Sequence, residues 1–149
     1  MSGAPCEAKA MQATVVAVNG RGVLITGEPG VGKTSLALAL IDRGAQLVGD
    51  DGVMVAARDG APFAWPHPNT AGMIEIRNVG IVHIDAVPAP IALSIELTRD
   101  APRHVEGPAV RKIADIPVPT LTMWPDSPVL ALRVEWALRM HGASESRGA

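Results

Sequence analysis

Residues 27–34 read Gly-Glu-Pro-Gly-Val-Gly-Lys-Thr, which places glycines, a lysine and a hydroxyl at the spacing Gly-x-x-x-x-Gly-Lys-Thr. Gly27, Gly30 and Gly32 let the backbone wrap an anion with its amide hydrogens turned inward, and a helix starting there adds the positive end of its dipole. Glu28, Pro29 and Val31 complete that cradle. Lys33 can then reach the β- and γ-phosphates of a nucleotide, and the Thr34 hydroxyl can ligate magnesium. The motif is informative only where a strand enters it and a helix leaves it.

Magnesium on a polyphosphate needs further oxygen ligands, and moving a phosphoryl group to a hydroxyl needs a carboxylate within reach of that hydroxyl. Asp50 and Asp51, which follow a short apolar run, can supply both; two acids after a strand also cap turns, and spacing leaves both readings open. Glu75 interrupts the apolar run 73–77, where a charge also suits the solvent face of a strand. His67, His83, His104 and His141 lack metal-ligand spacing. Trp65, Trp124 and Trp136 have no basic residues interleaved with them, so they read as packing rather than as a base-stacking platform.

The elements that must position these groups are legible in outline. Runs 14–18 and 22–26, separated by Asn19-Gly20-Arg21, predict a hairpin that delivers the chain into the glycine-rich loop. Residues 33–43 are strong helix formers and Gly44 follows as the C-terminal cap. Residues 45–49 predict a strand, with 53–57 as its possible partner; 73–77, 81–84 and 91–97 are further strand-like runs, and Pro88 and Pro90 interrupt ahead of the last. Proline-broken 62–69 and polar 98–111 predict loops, while Pro117, Pro119 and Pro125 favour extended chain. Ser127 and Pro128 predict the cap and first position of a last helix, with Val129, Leu132, Trp136 and Met140 on the face that packs on the sheet.

Across 149 residues the chain carries 48% hydrophobic and 19% charged residues with a formal net charge of -2, which predicts one globular domain and no nucleic-acid partner. The single cysteine, Cys6, has no partner in the chain, and no apolar run approaches the roughly 18 residues of a membrane span. A cytoplasmic protein with no membrane contact is expected, with a core over 12–140 and loose ends at 1–10 and 141–149.

Residues 12–139 resemble the catalytic domain of the HPr kinase/phosphorylase family, in the short alphaproteobacterial-type form that lacks an N-terminal domain. The resemblance is carried by 27–34, by Leu-Ile-Asp-Arg-Gly-Ala-Gln-Leu-Val-Gly-Asp-Asp at 40–51 and by Ile-Glu-Ile-Arg-Asn-Val-Gly-Ile at 74–81. It extends to the interval between Lys33 and the paired aspartates. It implies an α/β P-loop fold of the HPr kinase and PEP carboxykinase-like type, with a mixed sheet and a C-terminal helix. It further implies ATP and Mg2+ as cofactors, with Lys33 on phosphate, Thr34 and Glu75 serving the metal beside Asp50, and Asp51 accepting the proton of the target serine. In the reverse reaction Asp51 would be the donor. The family's catalytic arginine is matched by Arg103. An HPr-like phosphocarrier protein is the implied partner and a hexamer the implied assembly; a sensor kinase is the partner if the chain is instead a nucleotide-binding regulator.

The chain departs from the family at Gln12, which stands where the family has histidine and cannot change charge near neutral pH. Ser35 stands for an acid and Asn78 for a glycine, and 117–119 lacks the Pro-Gly-Arg-Asn element of longer members. Gln12 bears most on the phosphorylase direction, and the absent element goes with the short form. Gln12, Ser35 and Asn78 motivate one alternative, an ATP-binding regulator with little transfer; a second, a kinase for another hydroxyl acceptor, stays open because fold does not fix the acceptor.

Overall fold

Asn19 and Gly20 adopt φ of 53° and 80°, the positive pair that a two-residue type I′ turn requires. The turn joins antiparallel strands that meet at Val18 and Arg21. In the computed structural model, which describes residues 3–144, this hairpin is the centre of the fold. The elements are β1 (Lys9–Met11), β2 (Thr14–Val18), β3 (Arg21–Gly27), α1 (Lys33–Asp42), β4 (Gln46–Gly49), β5 (Val53–Arg58), β6 (Ala61–Pro66), β7 (Met73–Ile76), β8 (Gly80–His83), β9 (Ala89–Leu97), β10 (Ala109–Ile113), β11 (Ile116–Met123) and α2 (Leu130–His141).

The architecture is α/β with a mixed, curled sheet. Strands run in the order β1-β5-β6-β9-β3-β2-β4, and β11, itself paired with β10, joins the far end of β9. β3, β9 and β11 are parallel, and β4 is antiparallel to β2, as β3 is. The carboxyl ends of β3, β4, β9 and β11 therefore lie along one edge, where ligands of open α/β sheets bind. The helices cover one face: Leu36, Ala37 and Leu40 of α1 and Leu130, Val134, Ala137 and Leu138 of α2 pack with Val23, Ile25, Leu93 and Ile95. On the opposite face Val53, Val55 and Ala64 pack with Val15, Leu24 and Val118, so β5 and β6 curl over the sheet.

α1 ends as expected. Gly44, at φ 111°, donates its amide to Ile41 O at 2.9 Å, and Ala45 donates to Leu40 O at 3.0 Å, the paired bonds of a Schellman cap. Asn78 sits at φ 68° in the β7–β8 hairpin, a left-handed position that asparagine tolerates nearly as glycine does, so this departure costs the turn little.

Five expectations are corrected. Residues 53–57 do not pair with β4: the chain turns at Asp51, φ 62°, and β5 pairs with β1 and β6. Much of 62–69, read as loop, belongs to β6 (Ala61–Pro66); Pro62 and Pro66 share one parity, so their missing N–H groups fall on one edge and the other edge keeps its donors. β9 begins at Ala89 and includes Pro90, which stands opposite Phe63. The end of the 98–111 loop is strand β10. The last helix starts at Leu130 and buries Leu130, Val134, Ala137 and Leu138, while Val129, Leu132, Trp136 and Met140 face outward. α2 is apolar on more than one side, so periodicity admitted two faces. Ser127 still serves the entry to α2, its Oγ accepting the Val129 amide at 3.2 Å.

At the chain's start, Lys9 and Ala10 pair with β5. At its other end His141 closes α2 and the Ala143 amide donates to Ala92 O at 2.8 Å, while residues 145–149 lie outside the described residues.

Candidate active site

β3 runs out of the sheet's core at Gly27, and α1 begins at Lys33, so the glycine-rich loop has the strand before it and the helix after it that its chemistry demands. Gly27, Gly30 and Gly32 hold φ of 155°, 80° and 119°. At Gly27 a Cβ would come within 2.7 Å of Val31 Cγ1 and 2.9 Å of the Leu97 carbonyl, so only glycine fits. Glu28, Pro29 and Gly30 form the exposed rim, and Val31 is buried and fastens the loop to the core. Lys33 lays its ammonium on the loop, donating to Gly27 O at 3.0 Å and Glu28 O at 3.1 Å.

Asp50 is the hub of the acidic side. Its Oδ1 accepts the Thr34 hydroxyl at 2.8 Å and the Thr14 hydroxyl at 3.2 Å, and its Oδ2 stands 3.4 Å from the Glu75 amide. Thr14, fully buried at the head of β2, also accepts the Asp51 amide at 3.0 Å. That network joins α1, β2, the turn after β4 and the β7–β8 hairpin at the edge of the loop. The Asp51 side chain is exposed beside it on a backbone held at φ 62°, a strained setting for a residue other than glycine. Glu75 reaches Asp50 through its backbone, and its side chain faces solvent.

Among the described residues no group of three or more His, Cys, Asp or Glu side chains stands at metal-ligand spacing. Magnesium on a nucleotide takes one or two carboxylates and fills its octahedron with phosphate oxygens and water, so the pairing of Thr34 with Asp50 fits such an ion without a protein cage.

The family model of the HPr serine kinase C-terminal domain matches residues 5–89, which hold the loop, the acids and Glu75. The chain belongs to that family. It is 42% identical over 74 residues to the HPr kinase/phosphorylase of Clostridium botulinum (strain Eklund 17B / Type B), covering 50% of this chain and 24% of that protein. To the HPr kinase/phosphorylase of Clostridium kluyveri it is 50% identical over 70 residues, 47% of this chain and 23% of the relative. The matched part thus spans about a quarter of these relatives' length. In three dimensions it is similar to the HPr(Ser) kinase/phosphatase from Coxiella burnetii, with a TM-score of 0.76 and 30% identity, over 88% of this chain and 94% of that one. The α/β fold that the resemblance implied is therefore the fold of the family.

The other side of the loop holds a cavity of about 830 Å³ whose lining includes Thr26, Gly27, Glu28, Glu96, Arg99 and Arg111. Arg99 is taken up by Asp126, with contacts of 2.7 and 3.0 Å that raise its pKa above the ordinary arginine value, the hydrogen bond contributing more than the charge. Arg111 Nη1 donates to Thr26 Oγ1 at 3.3 Å. Arg103 lies in the exposed loop after β9 and is not part of this lining. Sequence reading missed Thr14 and Arg111. Nothing in the sequence marks Thr14, whose role comes from the pairing of β2 with β4; Arg111 lay in a stretch read as loop.

Proposed function

We propose that this chain is an ATP- and Mg2+-dependent protein serine kinase acting on an HPr-like phosphocarrier protein in the cytoplasm. The observation that carries this reading is the Thr34–Asp50–Thr14 network, which sets Asp51 beside the phosphate loop while leaving its carboxylate exposed. The loop amides and Lys33 would hold the phosphates, and Thr34, with Asp50 and Glu75 nearby, would hold the metal. Mg2+ bound there would neutralise phosphate charge as the transferred group moves. Asp51 would take the proton from the seryl hydroxyl while its oxygen bonds to the γ-phosphorus and the bond to ADP breaks. Arg103, in the loop after β9, would meet the transferred group when the acceptor docks.

Gln12 is exposed between β1 and β2 and supplies no titrating group near neutral pH, so the forward direction is the stronger part of the reading. A homo-oligomer, the hexamer implied by family resemblance, belongs to the proposal, supported by the exposed apolar row on α2. No helix among the described residues is long and apolar enough to cross a membrane.

The test is transfer of labelled γ-phosphate from ATP and Mg2+ to a purified HPr-type protein, with a serine-to-alanine acceptor as control. Serine-dependent labelling is expected. ATP binding without labelling would overturn transfer to an HPr-type protein and favour a nucleotide-binding regulator or a kinase for a different hydroxyl acceptor.

A further inference from the structure

The β5–β6 hairpin has two faces. Val53, Val55 and Ala64 turn one of them onto the sheet, and the cross-strand pairs Met54–Trp65, Ala56–Phe63 and Arg58–Ala61 share the other. Trp65 is nevertheless only 4% exposed. Residues 3–7, which lead into a turn closed by the Ala8 amide on Pro5 O at 3.0 Å, stand beside it with Pro88 from the approach to β9, and between them lies a cavity of about 660 Å³. Its size falls within the roughly 300 to 1,000 Å³ of small-molecule sites. It shares no lining residue with the phosphate loop or with the cavity beside that loop.

Two opposite charges line this space, the Glu7 carboxylate and the Arg58 guanidinium. Neither pairs with the other or with any further charge among the described residues. Arg58 lies 4.9 Å from the centroid of the Phe63 ring, and that ring packs on Trp65 with centroids 4.9 Å apart, so an aromatic face orients the guanidinium while its in-plane N–H groups stay free. Such a fork suits a carboxylate. Glu7, an acceptor only when ionised, suits an ammonium. Pro5, Pro88 and Trp65 give the rest of the wall rigid apolar surface. A polyphosphate would meet one cation and one repelling carboxylate, and a wholly apolar molecule would desolvate two charges without pairing either. The complement is a molecule that carries an ammonium, a carboxylate and an apolar body.

We propose that this cavity binds a zwitterion of that kind, an apolar α-amino acid or short peptide, with Arg58 on its carboxylate, Glu7 on its ammonium and Trp65 against its apolar body. The site stands apart from the phosphate loop and does not depend on the kinase reading.

The experiment follows the indole N–H signals of the three tryptophans of the intact chain by heteronuclear NMR, the Trp65 signal being assigned with Trp65→Phe. The probes are L-phenylalanine and L-alanyl-L-phenylalanine. Phenylpropionate, which lacks the ammonium, and phenethylamine, which lacks the carboxylate, are the controls. A saturable shift of the Trp65 signal is expected with a zwitterionic probe, the tighter of the two sizing the occupant as amino acid or peptide. Each control should bind roughly tenfold or more weakly than that probe. Glu7→Gln should erase the preference over phenylpropionate and Arg58→Gln the preference over phenethylamine, with circular dichroism establishing that both variants fold. Absence of a saturable shift with either zwitterion would overturn the site. Equal binding of zwitterions and controls, or variants that weaken every ligand alike, would overturn the assigned roles of Glu7 and Arg58 and the proposal with them.

Discussion

The Asp50 carboxylate takes hydroxyl hydrogen bonds from Thr34 and Thr14, and a carboxylate so held is fixed in place rather than poised to collect a substrate proton. Asp51 has the opposite environment, with its amide anchored on Thr14 and its side chain in solvent. On the proposed reading, proton transfer would therefore fall to Asp51 and positioning to Asp50. Asp51→Asn should lower phosphoryl transfer by about 10²- to 10⁴-fold with ATP affinity unchanged in a direct titration; near-normal transfer would remove Asp51 from the reaction. Thr14→Val keeps the shape and deletes the hydroxyl, which strands the Asp51 amide and loosens Asp50. A stability loss of about 1–3 kcal/mol in urea unfolding should accompany a fall in kcat larger than any rise in KM for ATP. Lys33 and Thr34 were legible as candidates because the Gly-x-x-x-x-Gly-Lys-Thr spacing announces them, whereas spacing left the acids open and the family resemblance singled them out. Thr14 was not legible, because a threonine at a strand's start looks like any other until β2 pairs with β4 and brings it against Asp50.

Strands and turns carry these residues, and the tightest of the carriers is the turn from Gly49 to Gly52. A Cβ on Gly49 would collide with the Gly52 carbonyl oxygen and approach Val53 Cγ1 at 2.6 Å. Since Gly52 and Val53 are backbone and core, neither yields cheaply. Gly49→Ala should therefore displace Asp50 and Asp51 together. The expected signature is loss of transfer and of the magnesium dependence of ATP binding, while tripolyphosphate without metal still binds the loop. Retained magnesium dependence would show that the turn absorbs the methyl. The hairpin β2–β3, α1 and its glycine cap were readable since each is specified by residues within it. β6 was hidden by Pro62 and Pro66, which signal a break in isolated chain, and β10 by the polar composition of 98–111; Pro117 and Pro119 marked β11 only as extended chain. In the sheet each pair occupies one parity, so one edge keeps its donors.

For the molecule as a whole, one layer of helices is packed on a sheet whose other face is covered by its own curled strands, and α2 is the part whose docking sequence periodicity placed on the wrong side. Leu138 is 4% exposed against the α1 side of the sheet, whereas Leu132, on the same helix, is 39% exposed. Leu138→Ala opens a cavity in the main core and should cost about 2–5 kcal/mol. Leu132→Ala changes a surface position and should stay within roughly 0.5 kcal/mol. Urea unfolding of the two variants at equal, low protein concentration separates these outcomes, because dilution removes any contribution from assembly through the outer row. Equal losses would mean that α2 buries its Val129-Leu132-Trp136-Met140 side after all. Unequal losses would leave that row as surface the fold does not need, so any shift in sedimentation on replacing Trp136 by serine would report association between chains rather than unfolding.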